Sequence, residues 1–514
     1  MGVVNSSRTR LAVLLAVVGV FLPGAQVRAS DASRLVAALS AWDVDTARSL
    51  LAKGVDASLR KDLPLLLGTL HLLEGDSVKA EEVLAHATGP DVSRLRMIAR
   101  GTRKVTKNLA IATSPSGRFQ FLYRPGADEA LLPYLIEAGD IAFGELERRL
   151  DMTVPTPVRV FVAPSFEDLA SVTGLARADL DSSGAVAACS LNRIVMVSPA
   201  RLPRGYPYAD TLAHELVHYF LRLRAGDNVP MWLQEGMAKA LESTWRGAPE
   251  GYLNKTLRQQ LADAVVKGRL LPLASMGTSL SGMSRPEDTA LAFAELASFA
   301  GWLMKTRGSQ ILPRLLDELT LADESVAVLR VTGRSIEALR SDWIASLAGN
   351  GAQVGPVAAG TGGVLLRETA GDPVPSLGPD AVAQYRLGNL LQVSGRPGAA
   401  AGKYRSVLET LSRPHPEVVA RLAGALVDAG NPDAALAFLD ESDVDEDEFS
   451  WVARERGRAL VRVGRFAEAE ASLETAIRSD PWDPESHEAL ARVFGATGRA
   501  DLAEREQRLA NAWR

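Results

Sequence analysis

Four glycines set the strongest constraint on how this chain folds. Gly395, Gly430, Gly464 and Gly498 recur at spacings of 35, 34 and 34 residues. Seven residues before each stands a small residue: Gly388, Ala423, Gly457 and Ala491. Four before each stands an apolar one, Leu391, Leu426, Leu460 or Phe494. Five after each stands an alanine, at 400, 435, 469 and 503. A period of this length holds one helical hairpin. Each glycine ends the first helix, and the small residues mark where the two helices cross closely. Residues 381–514 are therefore expected to stack as hairpins into a curved array, closed by the polar helix "DLAEREQRLANAWR". A fainter copy of the pattern lies at Gly68, Gly75 and Ala80, after the amphipathic pair "RLVAALSAWDVDTARSLLAKG". Residues 30–104 are read as a short helical-repeat segment.

The middle has a different texture. "GRFQFLYRPG" alternates and ends in a turn, which predicts a strand. "LLPYLIEAGDIAFGELERRL" has helical periodicity. "VRVFVAPS" reads as a strand, and "AVAACSLNRIVMVSP" as two strands around a turn at Leu191 and Asn192. Helices follow, so residues 105–347 are expected to be an α+β domain. The Gly/Pro-rich stretch 348–380 reads as a linker.

Arg8 and Arg10 precede the apolar run "LAVLLAVVGVFL", then Pro23, Gly24 and small residues at Val27 and Ala29. This predicts a signal peptide over 1–29, cleaved near Ala29. The run is short for a membrane span, and an uncleaved anchor is the alternative. The expected location is the bacterial periplasm or outside the cell, with no membrane span after cleavage. Cleavage removes three arginines and no acid, taking the net charge from −5 to −8, which disfavours nucleic acid as a partner. Cys189 is the single cysteine, so no intramolecular disulfide can form. Among small apolar neighbours it reads as an inert core residue.

The chemistry is concentrated in "TLAHELVHYF". His214 and His218 lie four apart on a helix without proline or glycine, so both imidazoles face one way. Two of the six histidines of the chain fall here. That pair is a metal-binding pattern, and Glu215 lies beside the metal, where a general base for a water belongs. Zinc needs a third protein ligand. Asp227 in "RAGDNVP" is a weak choice. Glu235, one turn into the helix begun by Pro230, is the better one. The alternative is a pair of core histidines and a solvent-facing Glu235.

"HELVH" followed by "VPMWLQEGMA" resembles the glutamate-zincins, most closely the bacterial peptidase MA-like group, over roughly 117–347. The 34-residue pattern resembles the tetratricopeptide repeat, which often accompanies that group. The resemblance implies a zincin-like α+β catalytic domain flanked by all-α repeats. It implies Zn2+ on His214, His218 and Glu235, and Glu215 as the catalytic glutamate. It also implies that the strand at 193–198 forms the sheet edge above the metal and pairs with substrate. Two departures stand out. Relatives often have a tyrosine where Phe293 stands, and thermolysin-like enzymes have an aspartate where Lys239 stands.

The expected function is an exported zinc peptidase acting on a protein or peptide substrate, with the repeat groove receiving a protein partner. The alternative is a non-catalytic scaffold of the cell envelope built around a degenerate peptidase fold. Tyr206, Tyr208 and Tyr219 flank the motif and are expected to be packing residues rather than oxyanion donors. The acidic run "DESDVDEDE" at 440–448 is expected to be a solvated loop, and few contacts are expected between the repeats and the domain before them.

Overall fold

The computed structural model describes residues 31–54, 59–202, 205–273, 286–308, 310–349, 377–412 and 414–512. The expected signal peptide and most of the expected linker lie outside these residues. Five helices come first: α1 (Asp31–Ser40), α2 (Val44–Ala52), α3 (Leu63–Glu74), α4 (Ser77–Leu84) and α5 (Pro90–Thr106). Gly68 lets α3 cross α4 closely, since a β-carbon there would meet Leu84 at 2.6 Å.

A five-stranded sheet follows, in the order β1-β2-β3-β5-β4. Its strands are β1 (Ala110–Thr113), β2 (Phe119–Tyr123), β3 (Val158–Ala163), β4 (Ala187–Cys189) and β5 (Arg193–Val197). β2, β3 and β5 run parallel; β1 and β4 are antiparallel edges. One face carries Phe119, Phe121, Val160, Ile194 and Met196. It packs on α6 (Leu132–Leu150) and on α9 (Tyr208–Ala225), the helix holding the His214 motif. The other face carries Leu122, Phe161 and Val195. It packs on α5, α7 (Phe166–Thr173) and α8 (Arg177–Ser183). The expected edge at 193–198 is therefore wrong. All five residues of β5 are buried, and β4 is the edge. "RIVMV" does not alternate because both of its faces are covered.

The domain continues with α10 (Met231–Leu241), α11 (Lys255–Val266), α12 (Pro286–Arg307), α13 (Ile311–Leu319), α14 (Glu324–Thr332) and α15 (Ile336–Gly349). Eight repeat helices complete the chain: α16 (Pro379–Val393), α17 (Pro397–Glu409), α18 (Pro416–Asp428), α19 (Pro432–Ser442), α20 (Ser450–Val463), α21 (Phe466–Ile477), α22 (Pro484–Ala496) and α23 (Ala500–Ala512). The four phased glycines all have positive φ, between 71° and 81°, as a helix-ending position requires. β-Carbons at Gly388 and Gly457 would meet Tyr404 and Leu473 at 2.6 and 2.5 Å.

The array docks on the α+β domain by two successive inter-hairpin loops, contrary to the expectation of few contacts. In the first, the acidic run keeps Asp440, Glu441, Asp443 and Asp447 exposed, as expected of a solvated loop, but also engages the domain. Asp445 accepts from the Lys255 N–H at 2.6 Å at the start of α11, Asp443 pairs with the Lys255 ammonium, and Asp447 accepts from the Tyr252 hydroxyl. In the second, Trp482 Nε1 donates to the Ala127 carbonyl at 2.7 Å, and the Tyr208 hydroxyl to that of Ile477 at 3.2 Å. Among the described residues, no helix is long and apolar enough to cross a membrane.

Candidate metal centre

α9 and α10 position the site. Helical spacing puts His214 and His218 on one face of α9, with their Nε2 atoms 3.2 Å apart. Pro230 stands just before the first turn of α10, where its missing N–H costs nothing. Trp232, Leu233 and Met237 are buried and seat the helix. Gly236 admits the backbone of α12, since a β-carbon there would lie 2.9 Å from the Leu296 carbonyl oxygen. Glu235 beside it faces the histidines, its Oε2 3.6 Å from His214 Nε2 and 3.7 Å from His218 Nε2. Zinc bound at about 2.0–2.1 Å in a tetrahedron spaces its ligands about 3.3–3.4 Å apart. The three donors stand close to that spacing, and their chemistry suits zinc. Among the described residues they are the group of this kind that could hold a metal.

Glu242 was not anticipated from the sequence. It follows Glu235 by seven residues, two turns along the same face, and that spacing is the signal that could have found it. Its Oε2 lies 3.1 Å from His214 Nδ1. This bond fixes the ring with Nδ1 as donor and turns Nε2 toward His218 and Glu235. Lys239 is not a gap in the site, because it pairs with the second oxygen of Glu242. Asp227 lies away from the triad, held by Ser40 at 2.6 Å and by Arg222.

The electrostatics separate the groups. Burial lowers His218 to about 4, which keeps it neutral and available as a ligand. Burial also opposes a charge on His214, but its bonds to the Glu235 and Glu242 carboxylates outweigh this and raise it. Glu215 is raised to about 7, chiefly by burial; His214 opposes the shift and Glu235 adds to it. The backbone N–H of Cys189, on the edge strand β4, donates to the Glu215 carboxylate. Cys189 thus packs against the main core and also reaches the site through its backbone. The tyrosine hydroxyls are committed elsewhere: Tyr206 donates to the Val197 carbonyl, Tyr208 to that of Ile477, and Tyr219 to Asn192 Oδ1 at 2.6 Å. Phe293 packs, partly buried, against the main core.

A family model described as the peptidase MA superfamily matches residues 146–349, from the last turn of α6 to the end of α15. Residues 146–349 form a peptidase MA superfamily domain. A tetratricopeptide-repeat model matches residues 385–449 and 454–511. The peptidase MA domain therefore contains all three donors, Glu215 and Glu242, and the repeats follow it. No curated protein matches the chain. Two solved structures are similar to it at low level. Native yeast LTA4 hydrolase has 12% identity and a TM-score of 0.33, covering 78% of this chain and 66% of that one. The APC/C hetero-tetramer Cut9-Hcn1 has 12% identity and a TM-score of 0.23, covering 99% of this chain and 96% of that one. At these values neither likeness bears on function.

Proposed function

We propose that this protein is an exported zinc peptidase that cleaves a protein or peptide substrate. The observation that carries the reading is the set of three donors from two helices, spaced as zinc ligands are, with a carboxylate beside them that ligates nothing. His214, His218 and Glu235 would hold the metal. Zinc supplies a Lewis acid that polarises a scissile carbonyl and makes a water more acidic.

The other steps fall to side chains of this chain. Glu215 takes the proton of the attacking water and passes it to the leaving amine nitrogen. Its upward shift suits it to both acts, because a base near neutrality can also return the proton. The Cys189 N–H steadies the carboxylate as its charge changes. Glu242 keeps His214 in the tautomer that presents Nε2. The repeats hold a protein partner or substrate, and the segment 1–29 directs the chain to the periplasm or beyond.

The engaged tyrosine hydroxyls and Phe293 favour a second reading, a non-catalytic scaffold that retains the metal. One experiment separates the two. Purified protein should contain about one zinc per chain and cleave an unfolded protein substrate, while Glu215→Gln keeps zinc and loses cleavage. Zinc without cleavage in the wild type would leave the scaffold, and wild type without zinc would overturn the metal reading. His214→Ala, His218→Ala and Glu235→Ala should each lose most of the zinc.

A further inference from the structure

Asp210, His214 and His218 follow one another at four-residue spacing, so Asp210 lies one turn below the first histidine on the same face of α9. It is buried and accepts from Ser243 Oγ at 2.9 Å, Trp245 Nε1 at 2.8 Å, and both Nε and Nη2 of Arg246 at 3.1–3.2 Å. These donors directly follow Glu242. The end of α10 is thus tied to α9 at two levels, by Glu242 on His214 and by residues 243–246 on Asp210. Arg246 also turns outward. Its Nη1 lies 3.8 Å from Asp447 Oδ2 in the repeats, and its guanidinium covers the Tyr252 ring, whose hydroxyl donates to the same aspartate. A polar cavity of about 20 Å³ between the two units is lined by Asp210, Arg246, Asp447 and Arg478 among others, room for about a single water.

We propose that docking of the repeat array sets how tightly the His214–His218–Glu235 site holds its metal, with Arg246 and Asp210 as positioning residues between them. The inference rests on the zinc reading and adds regulation of that same site. Docked, the array gives Arg246 a second carboxylate and shields it from water. Undocked, Arg246 and the chain after α10 lose that anchor, and the two helices that present the ligands are no longer held at one spacing. Whatever pulls on the array, a bound partner included, then acts on metal affinity.

The test measures zinc affinity of the full chain by competition with a chromophoric chelator. The variants are Asp443→Asn/Asp445→Asn/Asp447→Asn, Arg246→Gln, Arg246→Lys, and the triple combined with Arg246→Gln. Loss of a group that orients a ligand weakens metal binding about 10- to 100-fold. Acting at one remove, the triple variant and Arg246→Gln should each lose about tenfold, the low end of that range. Arg246→Lys should lose less, and the combination no more than Arg246→Gln alone, because both act through one residue. A triple variant with wild-type affinity, or losses that multiply in the combination, would overturn the relay. Wild type that binds no zinc would instead sink the metal reading, before any variant is compared.

Discussion

The helices before the sheet and the repeats after it both grip α9, at opposite ends and by different chemistry. At the C-terminal end, Trp42 lies 5.6 Å from Tyr219 and under the Arg222 guanidinium. Leu35, Leu39, Leu50, Leu66, Leu70 and Leu73 belong to one core with Phe119, Leu216 and Phe220. Arg159 donates to the Leu73 carbonyl, at the end of a helix where carbonyls are left over, and Arg193 donates to Thr102 Oγ1 of α5 at 3.1 Å. At the N-terminal end, the repeats bring a largely separate core of their own, with Tyr404, Val418, Leu473 and Val493. They touch the domain through acids, through indole and hydroxyl bonds, and through Trp482 packed on the domain's core and Tyr134 on theirs. The lesson is that likeness in secondary structure does not make two regions alike as units. The first is a wall of the domain's core, and the second is a body set against it.

Four experiments break or sharpen that contrast. Deleting residues 31–106 should leave no soluble folded protein, because it opens the core on the α9 side. A 107–514 chain that melts cooperatively by circular dichroism would end the contrast. Ending the chain at residue 349 should instead give a folded peptidase MA domain with a lower Tm, since only the docking loops are lost. An insoluble product would make the array part of the core after all. Trp42→Ala should cost about 3–5 kcal/mol in denaturant titration, as for a large buried aromatic. Trp482→Ala, at the array contact, should cost about 1–2 kcal/mol. Equal costs would erase the difference between the two seams. The smallest effect belongs to Asp443→Asn, where an exposed ion pair with Lys255 is worth about 0.2–1 kcal/mol. A larger loss would mean that the acidic loop carries the docking alone.

Much of this was legible in the sequence where spacing carries the information. The 34-residue phase fixed the hairpins because each glycine must end a helix. The four-residue step in "HELVH" fixed two donors, and the turn at Leu191 and Asn192 lies where the strand pattern breaks. Contacts between distant segments were not legible. Nothing local in "DVDEDE" tells whether water or Lys255 meets the acids. Nothing in "RLVAALSAWDVDTARSLLAKG" tells whether its leucines face a repeat or the sheet. The resemblance puts β5 at the sheet edge, against an unbroken apolar run that calls for cover on both faces, and Glu242 stands seven residues after Glu235, beyond the four-residue step of the thermolysin-like pattern.

The turn between β4 and β5 has a consequence in strain. Leu191 and Asn192 sit at φ of 51° and 58°, with the Ser190 N–H closing on the Arg193 carbonyl at 2.9 Å. Asparagine tolerates that region, whereas leucine does so at a cost of about 1–2 kcal/mol. A two-residue turn of this hand matches the natural twist of paired strands, so β5 leaves it in line with β4 and the Cys189 N–H stays aimed at Glu215. Asn192 holds the turn from outside, through Tyr219 on one side and the Leu73 carbonyl at 3.1 Å on the other. Glycine at 191 would relax the backbone and raise stability while letting the edge strand swing. At this turn the fold keeps a residue that makes it less stable and that holds the Cys189 N–H on Glu215.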